Sequence, residues 1–194
     1  MTKDLPRFRL HPNVYRLDLF EQQNGTCSCC AQLRDWKYRG PFYAVQKPDY
    51  LCPWCIADGS AAQRYEGQFN DELSIEGWEP DPSASANTFN AELIAEMCDR
   101  TPGYLAWQQA QWLVHCEQPC QFIAYVGAAE VEGLRSELAG DLQQLGDTYV
   151  QALSADGNPT GYLFRCLQCG THRLHTDGTV SYTHLRAHET REDL

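Results

Sequence analysis

The chain has 194 residues, 43% of them hydrophobic, which suits one globular domain or two small ones and excludes a disordered chain. A formal net charge of -11, with only 15 Lys and Arg residues, disfavours nucleic acid and anionic membrane surfaces as ligands. The same charge fits a cationic protein partner. The sequence contains neither an apolar run of roughly 18 residues nor an apolar signal segment. We therefore expect a cytoplasmic protein with no membrane partner.

The first half of the chain reads as strands and turns around cysteines. Alternating polar and apolar residues predict extended structure over 6–20. The aromatic segment 36–45 is interrupted by Gly40-Pro41, which predicts two short strands around a turn. A short helix is expected over 56–65.

A segment rich in Gly, Pro and Ser follows at 76–88 and has the composition of a linker. Beyond it, the periodicity of apolar residues predicts helices and strands in alternation. In chain order these are a helix from 89 to about 100, a helix over 105–115, a strand over 121–126, a helix over 128–145 and a hairpin over 149–164.

The resulting fold class is α+β. We expect an N-terminal zinc-ribbon-like module over 1–75 and a helical and hairpin module over 89–179, closed by a second cysteine cluster. Ten cysteines among 194 residues, about 5%, are fewer than the roughly 8–10% of a secreted disulfide scaffold. In a reducing compartment, clustered cysteines indicate metal or redox chemistry.

The first candidate metal site consists of two Cys-x-x-Cys pairs: Cys27 with Cys30, and Cys52 with Cys55. Two such turns supply the four thiolates that Zn²⁺ binds in a tetrahedron at about 2.3 Å. Twenty-one residues lie between the two pairs, just beyond the usual spacing of about 15–20 in zinc ribbons. Four reduced, buried thiols are the alternative, and the role of Cys29 stays open.

The second candidate site is more loosely spaced. Its four expected ligands are Cys116, Cys120, Cys166 and Cys169. Three residues separate the first two, while Gly170 permits a tight turn after the last. A histidine can replace one thiolate, and the candidates are His115, His172 and His175. Cys98 is expected to be a small buried hydrophobe.

Two Zn²⁺ ions per chain, each with four protein ligands, predict a structural role. A closed site leaves no position for a reactive water. Zinc binding contributes on the order of 10–16 kcal/mol in small modules, which matches the stability of about 5–15 kcal/mol of whole domains. The alternative is a thiol-disulfide oxidoreductase that uses Cys52 of the Cys-Pro-Trp-Cys motif as nucleophile and Cys55 as resolving thiol.

The last residues, 180–194, are not expected to belong to the fold. The segment Val180–Thr190 resembles the translation of a sequencing adapter, so the tail is predicted to be an artefact and the native C-terminus to be missing. His184 and His188 lie in this tail, and their four-residue spacing, which resembles that of a helical metal-binding pair, is therefore not taken as a metal site.

Over about residues 6–179 the chain resembles the CbrC family of bacterial proteins. The stretches that carry the resemblance are 40–43, 51–62, 101–104, 107–109, 112–113, His115-Cys116, Cys120, 162–166 and Cys169-Gly170. The resemblance implies a family with no established reaction, linked to tolerance of a DNA-degrading colicin and to envelope stress. Together with the cysteine pairs, it predicts a non-enzymatic structural-zinc adaptor in bacterial stress response or colicin tolerance.

Overall fold

The computed structural model describes residues 4–79 and 89–178. These ranges contain both helices and strands, as the α+β prediction requires. The strands are β1 (Phe20–Thr26), β2 (Leu33–Tyr38), β3 (Val114–His115), β4 (Gln118–Pro119), β5 (Gln121–Val126), β6 (Thr160–Arg165) and β7 (His172–Asp177). The helices are α1 (Pro53–Ala57), α2 (Ser60–Tyr65), α3 (Ala91–Arg100), α4 (Ala128–Gly133), α5 (Ala139–Leu142) and α6 (Asp147–Gln151). None of the described helices is long and apolar enough to span a membrane.

The N-terminal half is built on the antiparallel hairpin β1–β2, followed by α1 and α2. The two strands expected within 36–45 are wrong, because β2 ends at Tyr38 and pairs with the preceding β1. The helix expected over 56–65 is divided at Gly59. That residue has φ +79°, a left-handed conformation that glycine adopts without steric cost, and it precedes the first residue of α2.

The C-terminal half contains α3 and the antiparallel sheet β5-β6-β7. Helix α3 confirms the predicted helix and is capped at its N-terminus by Asn90, whose side chain accepts a hydrogen bond from the Leu93 N–H. Strand β5 has the predicted bounds. The predicted helix over 128–145 is present only as the short helices α4 and α5, and the 149–164 hairpin is wrong because α6 precedes β6 and the hairpin partner of β6 is β7.

The helix predicted over 105–115 is absent from the structure. Long-range hydrogen bonds from backbone N–H groups and from indole side chains hold the segment instead, and among them the Trp112 N–H donates to the Ser74 carbonyl at 2.8 Å. The Trp107 indole donates to Thr160 Oγ1 at 2.9 Å, and the Gln108 backbone N–H donates to Asp177 at 2.9 Å. The Trp112 indole donates to the Cys120 carbonyl at 2.8 Å. These contacts hold the segment as an irregular connection across the sheet.

The N-terminal segment before β1 contacts both halves of the molecule. Phe8 packs into the core that surrounds β1 and β2, whereas Leu10 packs into the core that surrounds the three-stranded sheet. The Leu10 carbonyl accepts a hydrogen bond from the Phe122 N–H at 2.8 Å, at the free edge of β5. Residues 4–8 belong to no helix or strand, 12–18 form turns and β1 begins only at Phe20, so the extended segment predicted over 6–20 does not form as a strand.

The predicted linker lies partly outside the described residues, which resume at Phe89. Its first residues pack against the C-terminal half, since Glu76 forms an ion pair with Arg173 at 3.0 Å and Trp78 lies against Phe89. The predicted artefact tail, 180–194, lies outside the described residues. The division into modules therefore stays a prediction.

Candidate metal centres

The first cysteine pair lies in the turn of the β1–β2 hairpin. The Cys27 N–H donates to the Gln32 carbonyl at 2.9 Å, and the Ala31 N–H donates back to the Cys27 carbonyl at 2.8 Å. Ala31 adopts φ +56°, which closes the turn directly after Cys30. This knuckle aims the thiols of Cys27 and Cys30 in one direction.

The second pair reaches the knuckle at the start of α1. Cys52 precedes the helix and Pro53 is its first residue, a position at which proline needs no N–H partner. The segment is fixed beside the knuckle because the Ser28 N–H donates to the Tyr50 carbonyl at 2.8 Å, and the Tyr50 N–H donates to Ser28 Oγ at 3.2 Å. Cys55 follows one helical turn after Cys52.

These four thiols form one group, here called the N-terminal cluster: Cys27, Cys30, Cys52 and Cys55, whose Sγ atoms all lie within 4.8 Å of one another. The Sγ–Sγ distances are 3.5 Å for Cys52–Cys55, 3.9 Å for Cys27–Cys55 and 4.0 Å for Cys30–Cys52. A regular tetrahedron with metal–sulfur bonds of about 2.3 Å has edges of about 3.8 Å. The donors therefore fit a tetrahedral metal ion, and all four were named from the sequence.

Hydrogen bonds couple the thiols of the N-terminal cluster to one another. A hydrogen bond with the Cys52 thiol lowers the pKa of Cys27 to about 4, against the opposing effect of burial. The same bond, together with burial, raises the pKa of Cys52. Crowded thiols thus share protons that a bound metal ion would displace. Cys29 lies outside the group, with its Sγ 3.6 Å from Ser60 Oγ.

The second knuckle is the turn between β6 and β7 and repeats the backbone pattern of the first. The Cys166 N–H donates to the Thr171 carbonyl at 2.8 Å, and the Gly170 N–H donates to the Cys166 carbonyl at 3.0 Å. Gly170 has φ +79°, at the position that Ala31 occupies in the first knuckle. Cys166 and Cys169 are therefore presented like Cys27 and Cys30.

The remaining donors come from the tip of the β3–β4 hairpin. His115 pairs with Gln118, which leaves Cys116 and Glu117 as a two-residue turn. Their φ values of 51° and 57° are both left-handed, as a type I′ hairpin turn requires. Non-glycine residues seldom adopt this conformation, and such strain is concentrated at functional sites. The turn presents the His115 and Cys116 side chains to the second knuckle.

These four residues form the C-terminal cluster: His115, Cys116, Cys166 and Cys169, with ligand atoms all within 4.8 Å of one another. The Sγ atoms of Cys116 and Cys169 are 3.7 Å apart, and His115 Nδ1 lies 3.2 and 3.3 Å from them. Tetrahedral zinc predicts about 3.8 Å between sulfurs and about 3.6 Å between nitrogen and sulfur. The four donors again fit a tetrahedral metal ion, although His115 Nδ1 lies slightly closer to the two sulfurs than the ideal distance.

The structure differs from the predicted ligand set at Cys120, which lies outside this cluster. The turn contains only two residues, so Cys120 falls beyond it, between β4 and β5, where its side chain is fully buried in the core. Burial raises the pKa of its thiol to about 12. His115, one of the three histidine alternatives, takes its place.

The other two histidines have different partners. His172 Nδ1 lies 3.1 Å from Glu137 Oε2, and His175 stacks on Tyr162 with ring centroids 5.6 Å apart. The lone Cys98 is buried in the core, as expected.

An ion-pair network secures the hairpin that carries His115. Arg173 contacts Glu76 and Asp141, each at 3.0 Å, and also donates to the Val114 carbonyl. Glu76 in turn accepts a hydrogen bond from the Val114 N–H at 2.8 Å. Both backbone groups of the residue before His115 are thereby fixed, as expected for a residue that orients a ligand.

The cluster itself is more open than its N-terminal counterpart, because Cys116 and Cys169 are exposed. Hydrogen bonding with Thr171 lowers the pKa of Cys169 to about 6, which favours the thiolate that a metal binds.

Fold and sites together define an α+β protein with two four-residue clusters of cysteine and histidine, each able to hold a metal ion. The chain belongs to the family described as "Uncharacterised protein family (UPF0167)", whose model matches residues 5–178. The CbrC resemblance stays a prediction. No solved structure shows significant similarity to the chain.

Curated relatives carry the same family name. A UPF0167 protein of Pseudomonas aeruginosa is 39% identical over 190 residues, which cover 92% of this chain and 100% of that protein. UPF0167 proteins of Mycobacterium bovis and Mycobacterium tuberculosis are each 35% identical over 184 residues, covering 89% of this chain and 93% of theirs.

Proposed function

We propose that this chain is a structural-zinc protein that acts as a non-enzymatic adaptor in bacterial stress response or colicin tolerance. The observation that carries the zinc assignment is the convergence of donors from distant parts of the sequence. Sγ atoms of Cys27 and Cys55 stand 3.9 Å apart, and those of Cys116 and Cys169 stand 3.7 Å apart. Both values are close to the edge of a tetrahedral zinc site.

The donor chemistry supports zinc over other metals. Seven of the eight donors in the two clusters are thiols and one is an imidazole. Magnesium, calcium and manganese prefer oxygen ligands, whereas tetrahedral sulfur and nitrogen sets are typical of zinc. When bound, zinc would hold each knuckle against its partner element and thereby stabilise the surrounding fold.

The non-enzymatic part of the proposal rests on the filling of each site by four protein donors, the arrangement of structural rather than catalytic zinc. The alternative, a thiol-disulfide oxidoreductase, needs an accessible and acidic thiol at Cys52. That side chain is 0% exposed and its pKa is raised. Both observations weigh in favour of the structural role.

The adaptor role and its biological setting have different support. The net charge of -11 favours a cationic protein partner. The setting, a cytoplasmic role in stress response or colicin tolerance, is supported by the resemblance to the CbrC family alone.

Metal counting tests the zinc assignment directly. The purified chain should contain two zinc ions, and its cluster cysteines should be alkylated only after a chelator has been added. A metal-free chain whose Cys52 is alkylated first would overturn the proposal in favour of the oxidoreductase.

The biological setting needs a separate experiment. The gene is deleted from a bacterium that encodes the chain, and the deletion strain is complemented with the wild-type gene or with the Cys52→Ala variant. Each strain is then exposed to a DNA-degrading colicin. Rescue by wild type and failure by the variant are expected. Equal killing with and without the gene would refute the role in tolerance.

A further inference from the structure

The two clusters differ sharply in their access to solvent. In the N-terminal cluster Cys27 and Cys52 are 0% exposed, Cys55 is 3% exposed and Cys30 is partly exposed. In the C-terminal cluster Cys116 and Cys169 are both exposed. Oxidation of thiolates by dissolved oxidants depends on such access, so the two clusters should react at very different rates.

Within the C-terminal cluster the exposed thiols are also the pair that is placed to react with each other. Their Sγ atoms are 3.7 Å apart, and a disulfide needs about 2.05 Å. Each thiol lies in the turn of a hairpin, Cys116 between β3 and β4 and Cys169 between β6 and β7. The third thiol, Cys166, is 3% exposed and accepts a hydrogen bond from the Gln168 N–H at 3.4 Å.

From this geometry we propose that Cys116 and Cys169 form an oxidation site for peroxides, at which a disulfide replaces two metal ligands. The proposal rests on the zinc binding proposed for the C-terminal cluster. It adds an activity that a purely structural centre would lack: release of its metal in response to an oxidant.

The chemistry takes two steps. The thiolate of one cysteine attacks a peroxide oxygen, the O–O bond breaks, and a sulfenic acid forms while the leaving oxygen is protonated to water or an alcohol. The second thiolate then attacks the sulfenic sulfur, forms the S–S bond and releases hydroxide, which is protonated to water. Two electrons pass from the sulfurs to the peroxide. The disulfide joins two hairpins whose cysteines are 53 residues apart in sequence.

After this reaction only His115 and Cys166 remain as donors of the original four. Two ligands cannot complete a tetrahedral site, so the metal is released. The N-terminal cluster, in which three of the four thiols are buried and Cys30 is only partly exposed, is expected to keep its ion under the same conditions and provides an internal control.

The test uses the full chain, with its zinc counted before any oxidant is added. Two ions per chain satisfy the structural proposal, and a different count contradicts that proposal alone. Hydrogen peroxide is then added in the presence of a chromogenic zinc indicator. We expect release of one ion per chain and a Cys116–Cys169 disulfide in peptide mass maps, with reversal by dithiothreitol and added zinc.

Two variants sharpen the result. Cys116→Ser should leave Cys169 as a sulfenic acid that dimedone traps, with no disulfide between the hairpins. Cys120→Ala, which removes a nearby thiol outside the cluster, should release one zinc like wild type. The proposal is overturned if peroxide removes both ions or neither, if the mapped disulfide joins other cysteines, or if Cys120→Ala abolishes release. Mapping of the oxidised, metal-free chain decides between thiol pairs even when zinc binding fails.

Discussion

The two clusters begin from the same knuckle and end as different sites. In each knuckle, the N–H of the first cysteine donates a hydrogen bond to the carbonyl of the residue five positions later. A residue with a left-handed conformation, Ala31 or Gly170, follows the second cysteine. The partner element makes the difference. The start of α1 covers the N-terminal cluster, whereas the β3–β4 tip leaves the C-terminal cluster open. A local turn thus sets the donor geometry, and the element that meets it sets the access of solvent.

The largest expected effect is loss of the buried cluster. Cys52→Ala should lose one zinc and unfold the N-terminal half, because metal binding on the order of 10–16 kcal/mol is comparable to the stability of a whole domain. Circular dichroism and a zinc count measure both changes. Cys29→Ala, a neighbouring thiol outside the cluster, should keep two ions and a native spectrum. A Cys52→Ala chain that keeps its native spectrum would contradict the prediction that the N-terminal half depends on the metal in its cluster.

A smaller loss is expected at the open cluster. His115→Ala should weaken zinc binding there on the order of 100-fold, or about 2.8 kcal/mol, and leave the N-terminal half folded. Competition with a graded chelator measures the affinity, and wild type should yield its first ion from this cluster. Cys120→Ala is the matched control and should retain both ions. If that variant loses zinc while His115→Ala does not, the donor assignment is wrong.

Acid weakens both centres by protonating ligands, so a third titrating group must be separated from them. Burial lowers the pKa of His11 to about 4, against its hydrogen bond with the Pro102 carbonyl. Folding therefore favours the neutral ring, and the stability that it contributes is present above pH 6.5 and lost as the pH falls towards 4. This contribution of His11 to the free energy of unfolding is about 3 kcal/mol above pH 6.5, and about 2 kcal/mol of it is lost by pH 5.

Urea unfolding of wild type and His11→Gln at pH 7.5 and pH 5 measures this contribution. The variant should lose less stability than wild type on acidification. Equal losses would assign the whole pH dependence to the metal ligands.

The smallest effect comes from the left-handed residue that follows each knuckle. Ala31→Gly should stabilise the first knuckle, and Gly170→Ala should destabilise the second, each by about 1 kcal/mol, because a Cβ disfavours positive φ. Thermal unfolding of the two zinc-loaded variants measures both. Changes of the same sign would contradict the equivalence of the two turns.

The sequence was most informative where a short spacing alone determines the geometry. Two Cys-x-x-Cys knuckles could be recognised because their donors lie within a single turn. Helix α3 was predictable from its apolar stripe and strand β5 from its run of apolar residues.

Elements that depend on distant partners could not be predicted from local pattern. The segment 105–115 has the apolar content of a helix, yet Trp107 and Gln108 bond to residues 160 and 177. Likewise the turn at Cys116-Glu117 lacks the Asn or Gly that signals a type I′ hairpin. Without that signal, spacing favoured Cys120 over His115 as the fourth donor.

The N-terminal segment also decides how finely this protein can be divided. Leu10 contributes a side chain to one core and a backbone acceptor to β5, while Phe8, two residues earlier, belongs to the other core. A fragment that begins after residue 75 would leave the β5 edge unpaired, a condition that promotes aggregation. A fragment of the C-terminal half alone is therefore expected to be less soluble than the whole chain, however separate the metal chemistry of the two halves is.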